Sequence, residues 1–194
     1  MSTDLDRLYA AIDSVNANDP TTIDWRGERM ARSLLQGQRA TWWLPQVADG
    51  PSAALSIAAR AHHLARWTIG RASYPDGRAG YLRWRKALKL ASAERLVTTL
   101  TPLGVTPSVL ERAGELVQRV GLGTDPEAQA VEDVACLVFL ETDFEPLLAR
   151  LGPSRTTVAL SRTLLKMSPA AVEAGAAAAP VGPARDLLTE VASS

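Results

Sequence analysis

The chain's two histidines stand side by side, His62 and His63, inside the run AARAHHLARWTIGRASYPDGRAGYLRWR that spans Ala58–Arg85. Imidazole titrates closest to neutrality, so the chemistry it offers is proton transfer or metal ligation. The same run carries Arg66, Trp67, Arg71, Tyr74, Arg78, Tyr81, Trp84 and Arg85. Guanidinium groups fork onto carboxylates and phosphates, and aromatic rings wall pockets, so this set suits the binding of a small anionic substrate. A structural alternative stands beside it. Arg71 and Arg78 can fasten an irregular loop by binding carbonyls or carboxylates, Tyr81 and Trp84 can pack on a core, and a histidine can be a hydrogen-bonded core residue.

The acid partner has to come from elsewhere. In QAVEDVACLVFLETDF the carboxylates Glu132 and Asp133 precede an apolar run that leaves little polar face, so one or both must be partly buried. A buried carboxylate requires a cation, a metal or a histidine beside it. Glu141 has the same requirement. Glu132 and Asp133 are therefore the best acidic partners for His63, which as catalytic residues would form an acid-base set.

Composition narrows the field. The chain has 194 residues, with 46% hydrophobic and 22% charged residues and a net charge of +0, which fits one globular domain over residues 1–194. A balanced charge offers no global field for nucleic acid, and no helix-turn-helix or RNA-module signature is present, so a nucleic-acid partner is not expected. The lone Cys136 excludes an internal disulfide and a multi-cysteine zinc site. The acidic, amphipathic start MSTDLDRLYAAIDSV is unlike a secretory signal, and no apolar run approaches the roughly 20 residues of a membrane span. A cytoplasmic setting is the expectation, and a homo-oligomer is compatible with it. A glycine-rich phosphate loop, His-Glu-x-x-His and Gly-x-Ser-x-Gly are all absent.

The elements that must position these residues read as helices almost throughout. Leu5, Leu8, Ile12 and Val15 recur at helical steps up to Asn18-Asp19-Pro20. TTIDWRG reads as a loop, and Glu28–Trp43 as a second helix. Ser52 is a plausible cap for a third helix from Ala53 to Trp67, on which neighbouring histidines would diverge by about 100°. After the irregular TIGRASYPDGRAG come helices at Ala79–Leu100, from Thr106-Pro107 to about Gly121, from Asp125-Pro126 to Leu151, and Pro153–Met167. Glu173–Ala184 reads as a loose connector or an Ala-rich packed helix broken at Pro180, and a shorter helix is expected at Pro183–Val191. No strand is expected. The fold class is an all-α single-domain bundle.

GQRATWW, AARAHHLARWTIGRASYP, GYLRWRKAL, DPEAQAVEDVACLVFLE and LLKMS, in that order, resemble domain-of-unknown-function family 4202, whose fungal members are often labelled glutamyl-tRNA synthetase-like. The similarity covers about Ala11 to Ser168. It implies an all-α fold distantly similar to HD-type phosphohydrolases, in which histidines and a late aspartate converge on a divalent metal. The match places His63 at the first histidine and Glu132-Asp133 at the acidic motif, so a metal here would rest on His63 and Asp133. Where the family tends to have a second histidine, this chain has Ser92, a poor ligand for a transition metal. The expectation is an enzyme doing His/carboxylate acid-base chemistry on a small anionic substrate in biosynthesis, without a required cofactor. The alternatives are a metal-dependent HD-like phosphohydrolase with a degenerate site and a non-catalytic binding protein that kept the fold.

Overall fold

Helices make up most of the molecule, and the apolar spacing explains them. The computed structural model describes residues 2–178 together with 185, 186, 189 and 190. In chain order α1 is Ser2–Asn16, β1 Thr22–Trp25, β2 Glu28–Ala31, α2 Arg32–Trp43, α3 Ala53–Ala61, α4 Gly77–Leu100, α5 Pro107–Gln118, α6 Pro126–Thr142, α7 Phe144–Leu151, α8 Pro153–Leu164 and α9 Pro169–Ala178.

The strands correct the sequence reading. β1 and β2 pair antiparallel, with Trp25 opposite Glu28. Arg26 and Gly27 between them have φ of 52° and 86°, the positive pair whose twist suits a two-residue hairpin turn. Each strand is only four residues long, and only β1 alternates between exposed and half-buried positions, too little to outweigh the helical pattern that follows. α2 accordingly begins at Arg32 rather than Glu28. Its first turn receives no side-chain cap from Ala31. Asp19 substitutes from the preceding loop, accepting from the Ser33 backbone N–H at 3.1 Å and the Ser33 hydroxyl at 2.6 Å, and so satisfies an otherwise orphaned helix donor.

α3 lies at the centre, packed against α1, α2, α5 and α6. Ser52 caps it as expected, accepting from Leu55 N–H at 3.0 Å. Ile57, Ala58, Ala59 and Ala61 are fully buried, and the small alanines let neighbouring helices approach closely. At Gly37 of α2 a Cβ would lie 2.7 Å from the Arg60 carbonyl, so this crossing requires glycine. Fully buried Leu35, Leu96, Leu116, Leu137 and Leu140 complete the core, each contributing about 1.5–3 kcal/mol by leaving water.

Two helices stop well over a turn earlier than the sequence reading placed them. α3 ends at Ala61 rather than Trp67, and α6 at Thr142 rather than Leu151. In the second case Pro146 has no N–H with which to continue the ladder to Thr142, and the Thr142 hydroxyl donates back to the Val138 carbonyl at 2.8 Å. The chain then turns at Asp143 and buries Phe144. Glu173–Ala178 is the end of α9, which packs on α6. The rest of that segment and most of the helix expected at Pro183–Val191 lie outside the described residues. Among the described residues no helix is long and apolar enough to cross a membrane.

Candidate functional site

The site exists because α3 stops. Ala65 takes φ 53° in the left-handed region, and side chains from other helices satisfy the backbone groups that the stop releases. Asn16 of α1 accepts from Ala65 N–H at 3.2 Å, and the Ser92 hydroxyl of α4 donates to the Leu64 carbonyl at 2.8 Å. The Trp84 indole of α4 donates to the Ile69 carbonyl at 2.9 Å. Freed from the helix, His62 and His63 do not diverge as expected. Their rings lie 4.1 Å apart, tilted by 35°, and both line one cleft.

α4 forms the opposite wall with Arg85, Leu88, Lys89 and Ser92, whose spacing of three, four and seven places them on one helical face. Arg66 closes one side, and Arg119, just past the end of α5, closes the other. The cleft measures about 20 Å³, enough for a water or one small polar group but not for a whole metabolite. A larger ligand would extend out of it.

The charges around this small space are unequal. Arg119, which has φ 64°, donates to Glu132 at 3.1 Å and to the Val117 carbonyl at 2.7 Å. Both side chains of that ion pair are only 5% exposed. Burial alone would raise the Glu132 carboxyl, but Arg119, Arg85, Lys166 and Lys89 outweigh it and hold it below the usual range. Arg66, Arg85 and Lys89 form no ion pair among the described residues. Burial, with Arg119 next in importance, brings the Lys89 ammonium down to about 8.

His63 is wired on both nitrogens. Nδ1 lies 2.9 Å from Gln36 Oε1, and Gln36 Nε2 donates to Asp143 at 2.8 Å. Asp143 is in turn held by Arg32 at 2.7 Å. With its amide NH₂ engaged by Asp143, Gln36 presents its oxygen to His63, so Nδ1 carries the proton and Nε2 the lone pair. Arg66 Nη1 donates to that Nε2 at 3.1 Å. Burial, His62, Arg66 and Arg119 together hold His63 well below its ordinary value. It is a neutral base with a fixed tautomer.

The expected acid-base partners are arranged differently. Glu132 and Asp133 are both buried, where the sequence context called for one or both to be partly so, but the group that orients His63 is Gln36. Glu132 is committed to Arg119. Asp133 accepts from Gln129 at 2.8 Å and from Ser168 N–H at 2.9 Å, and so ties α6 to the start of α9. Of the proposed substrate-binding set, Arg66 and Arg85 line the cleft. Trp84 stacks under the Arg66 guanidinium at 5.1 Å and meets Tyr81 at 5.8 Å. Arg71 fastens the loop, donating to the Tyr74 and Pro75 carbonyls at 2.8 and 3.0 Å. Arg78 is exposed, and Trp67 and Tyr74 are half-buried outside the cleft lining. Sequence reasoning missed Lys89, Arg119 and Gln36. Lys89, one turn beyond Arg85 on the same face, was within reach of the spacing argument. Gln36 and Arg119 carried no local signal.

The residues present do not fit a divalent metal on His63 and Asp133. His63 spends both nitrogens on Gln36 and Arg66, Ser92 donates its hydroxyl proton to a carbonyl, and four cationic side chains surround the space. Among the described residues no group of three or more His, Cys, Asp or Glu side chains is placed to hold a metal ion. Cys136 is a buried thiol pushed up to about 12 by burial and Glu132, and it is inert at neutral pH.

No curated protein and no solved structure matches the chain. The model of a domain of unknown function, DUF4202, matches residues 6–187, nearly the whole length that builds this cleft, and the chain belongs to that family.

Proposed function

We propose that this protein is a small-molecule-processing enzyme in which the cleft grips an anionic group of the substrate and His63 transfers a proton. The observation that carries the reading is the unpaired charge. Among the described residues, Arg66, Arg85 and Lys89 converge on one small space without an ion pair in contact, Glu132 reaching Arg85 and Lys89 only at longer range. Such an arrangement costs electrostatic energy unless an anion completes it. Arg85 and Lys89 would hold the anion, and Arg66 would swing between it and His63 Nε2.

Neutral His63 is suited to act as a base. A proton taken on Nε2 leaves the Nδ1 proton donated to Gln36, so the wiring survives the step. The resulting imidazolium sits among cations and is stabilised only when the bound anion offsets them. Proton transfer is thus coupled to occupancy. Acid-base catalysis of this kind is worth roughly a hundred- to ten-thousandfold, which suits an isomerisation, elimination or cyclisation. A metal-dependent hydrolysis is disfavoured by the donor set. A purely binding role has one observation in its favour: Arg66 already occupies the basic nitrogen of His63.

The two readings separate on a panel of small phosphorylated and carboxylated compounds, followed by NMR with the purified chain. The enzyme reading expects a compound that is converted by the wild type, while His63→Gln still binds it but converts it at least a hundredfold more slowly. Binding without conversion across the panel supports the non-catalytic reading. Binding that is unaffected by Arg85→Met with Lys89→Met removes the anion site itself.

A further inference from the structure

His62 lines the cleft but has no part in the proton transfer above. Its Nδ1 lies 2.9 Å from the Ala59 carbonyl oxygen. A carbonyl only accepts, so Nδ1 bears the proton and Nε2 bears the lone pair. That Nε2 is buried and has no hydrogen-bond partner. A buried acceptor left unsatisfied is unfavourable, and a lone pair facing a fully deprotonated oxyanion would repel it. Protonation does not relieve the conflict. Burial, then Arg119 from the end of α5, keep the imidazolium from forming until about 3. Arg66 on its own segment acts in the same direction, against the Ala59 carbonyl and Glu132 of α6, while Arg85 and Lys89 face the same space from α4. The cleft thus offers an anion several cationic donors and, in His62 Nε2, an acceptor that no protein group among the described residues satisfies.

We propose that the cleft selects an oxyanion that still carries a proton, a hydrogen phosphate or a phosphate monoester in its monoanionic form, with His62 Nε2 accepting the ligand's O–H. Arg85, Lys89 and Arg66 hold the charged oxygens. A single tetrahedral oxyanion matches the small volume, and the remainder of a monoester leaves through the open side. This inference rests on the anion-binding reading and narrows its substrate class.

Inorganic phosphate and sulfate test it, because at about pH 7.5 phosphate is mainly a dianion of the same shape as sulfate but keeps one O–H. Calorimetric titration of the full chain with each salt should show phosphate binding at least about tenfold more tightly. His62→Leu keeps the volume and removes the acceptor, so it should weaken phosphate, leave sulfate unchanged and collapse the preference. The wild-type comparison stands even where that variant fails to fold. Sulfate binding as tightly as phosphate overturns the inference and leaves the anion site intact. A preference that persists in folded His62→Leu overturns it as well. Binding of neither salt removes both readings together.

Discussion

Two corners of this molecule that pair guanidinium with tryptophan are built on opposite principles. At the first, Arg39 forks onto Glu141 with both nitrogens at 2.8 Å, and the Trp43 indole donates to the same carboxylate at 3.0 Å. Its guanidinium also lies over the rings of Trp42 and Trp25, at 4.1 and 5.6 Å, and so fixes the hairpin to α2 and α6. The Arg39 charge meets its counter-charge in Glu141, and the ion pair is complete as it stands. At the second corner Arg66, Arg85 and Lys89 face the histidine cleft with no carboxylate in ion-pair contact among the described residues, Glu132 being engaged by Arg119. Both places set a guanidinium over a tryptophan ring. Pairing is what separates a clamp from a binding site.

Glu132 is the joint between the two principles, because it neutralises Arg119 at the edge of the cleft. Glu132→Gln would leave a buried guanidinium without its counter-charge, a change that costs about 3–5 kcal/mol. Urea denaturation at neutral pH should show that loss as a lower midpoint with an unchanged slope. A loss below about 1 kcal/mol would place Arg119 with the unpaired, ligand-directed cations instead.

Acid should strike the cleft next. His62 is neutral in the folded state down to about 3, whereas the unfolded chain takes up that proton near 6.5. Between those values the unfolded state binds more protons, so stability falls as pH falls. The slope from His62 is about 1.4 kcal/mol per pH unit, or roughly 2 kcal/mol between pH 6.5 and 5. His63 shifts in the same direction. Removing the titrating ring in His62→Leu should flatten the acid limb measurably, and a limb unchanged by that substitution would show that carboxylates elsewhere govern it.

Substituting the two kinds of cation should then have opposite consequences. Arg39→Met deprives Glu141 of its fork and should cost about 1–3 kcal/mol, read by thermal or chemical denaturation. Arg85→Met removes a like-charge neighbour and no ion pair, so stability should stay within about 0.5 kcal/mol or rise, while phosphate binding weakens at least about tenfold. Equal destabilisation by both would erase the distinction between the corners.

The helical class was legible because apolar spacing is repeated over many turns, and the burial of Glu132-Asp133 followed from a run with no polar face. The hairpin at Thr22–Ala31 escaped because four-residue strands carry too few alternations to register. The early end of α3 had a tertiary cause, whereas that of α6 was set locally by Pro146 and the turn at Asp143. Ser92 and Asn16 hold open the turn after Ala61 from distant helices, and Asp143 is turned inward by Arg32 and Gln36. That is why the two histidines converge where a continuous helix would separate them, and why Gln36, 27 residues before His63, was not identified as its partner. The segment Ala58–Arg85 supplies His62, His63, Arg66 and Arg85 to the cleft. Which of its cations lacked counter-charges depended on contacts that no local pattern encodes.

The smallest effect is the most specific to the cleft, because it sets affinity and stability against each other. Lys89 loses its proton at about 8 in the folded state, against about 10.5 in the unfolded chain. Over that interval the unfolded state binds more protons, so stability contributed by this group rises with pH. Anion affinity moves the other way, since each deprotonated Lys89 removes a cation from the site. Sulfate is the suitable probe because its own charge is constant. Its affinity should fall a few-fold between about pH 7 and 9, and binding near pH 8 should draw in protons, as the anion restores the ammonium. Lys89→Arg should keep the affinity and abolish the pH dependence, and Lys89→Met should lower the affinity at every pH. In a fully paired corner such as that of Arg39 and Glu141, a loss of charge would weaken the fold. Here it should ease the fold and weaken only the ligand.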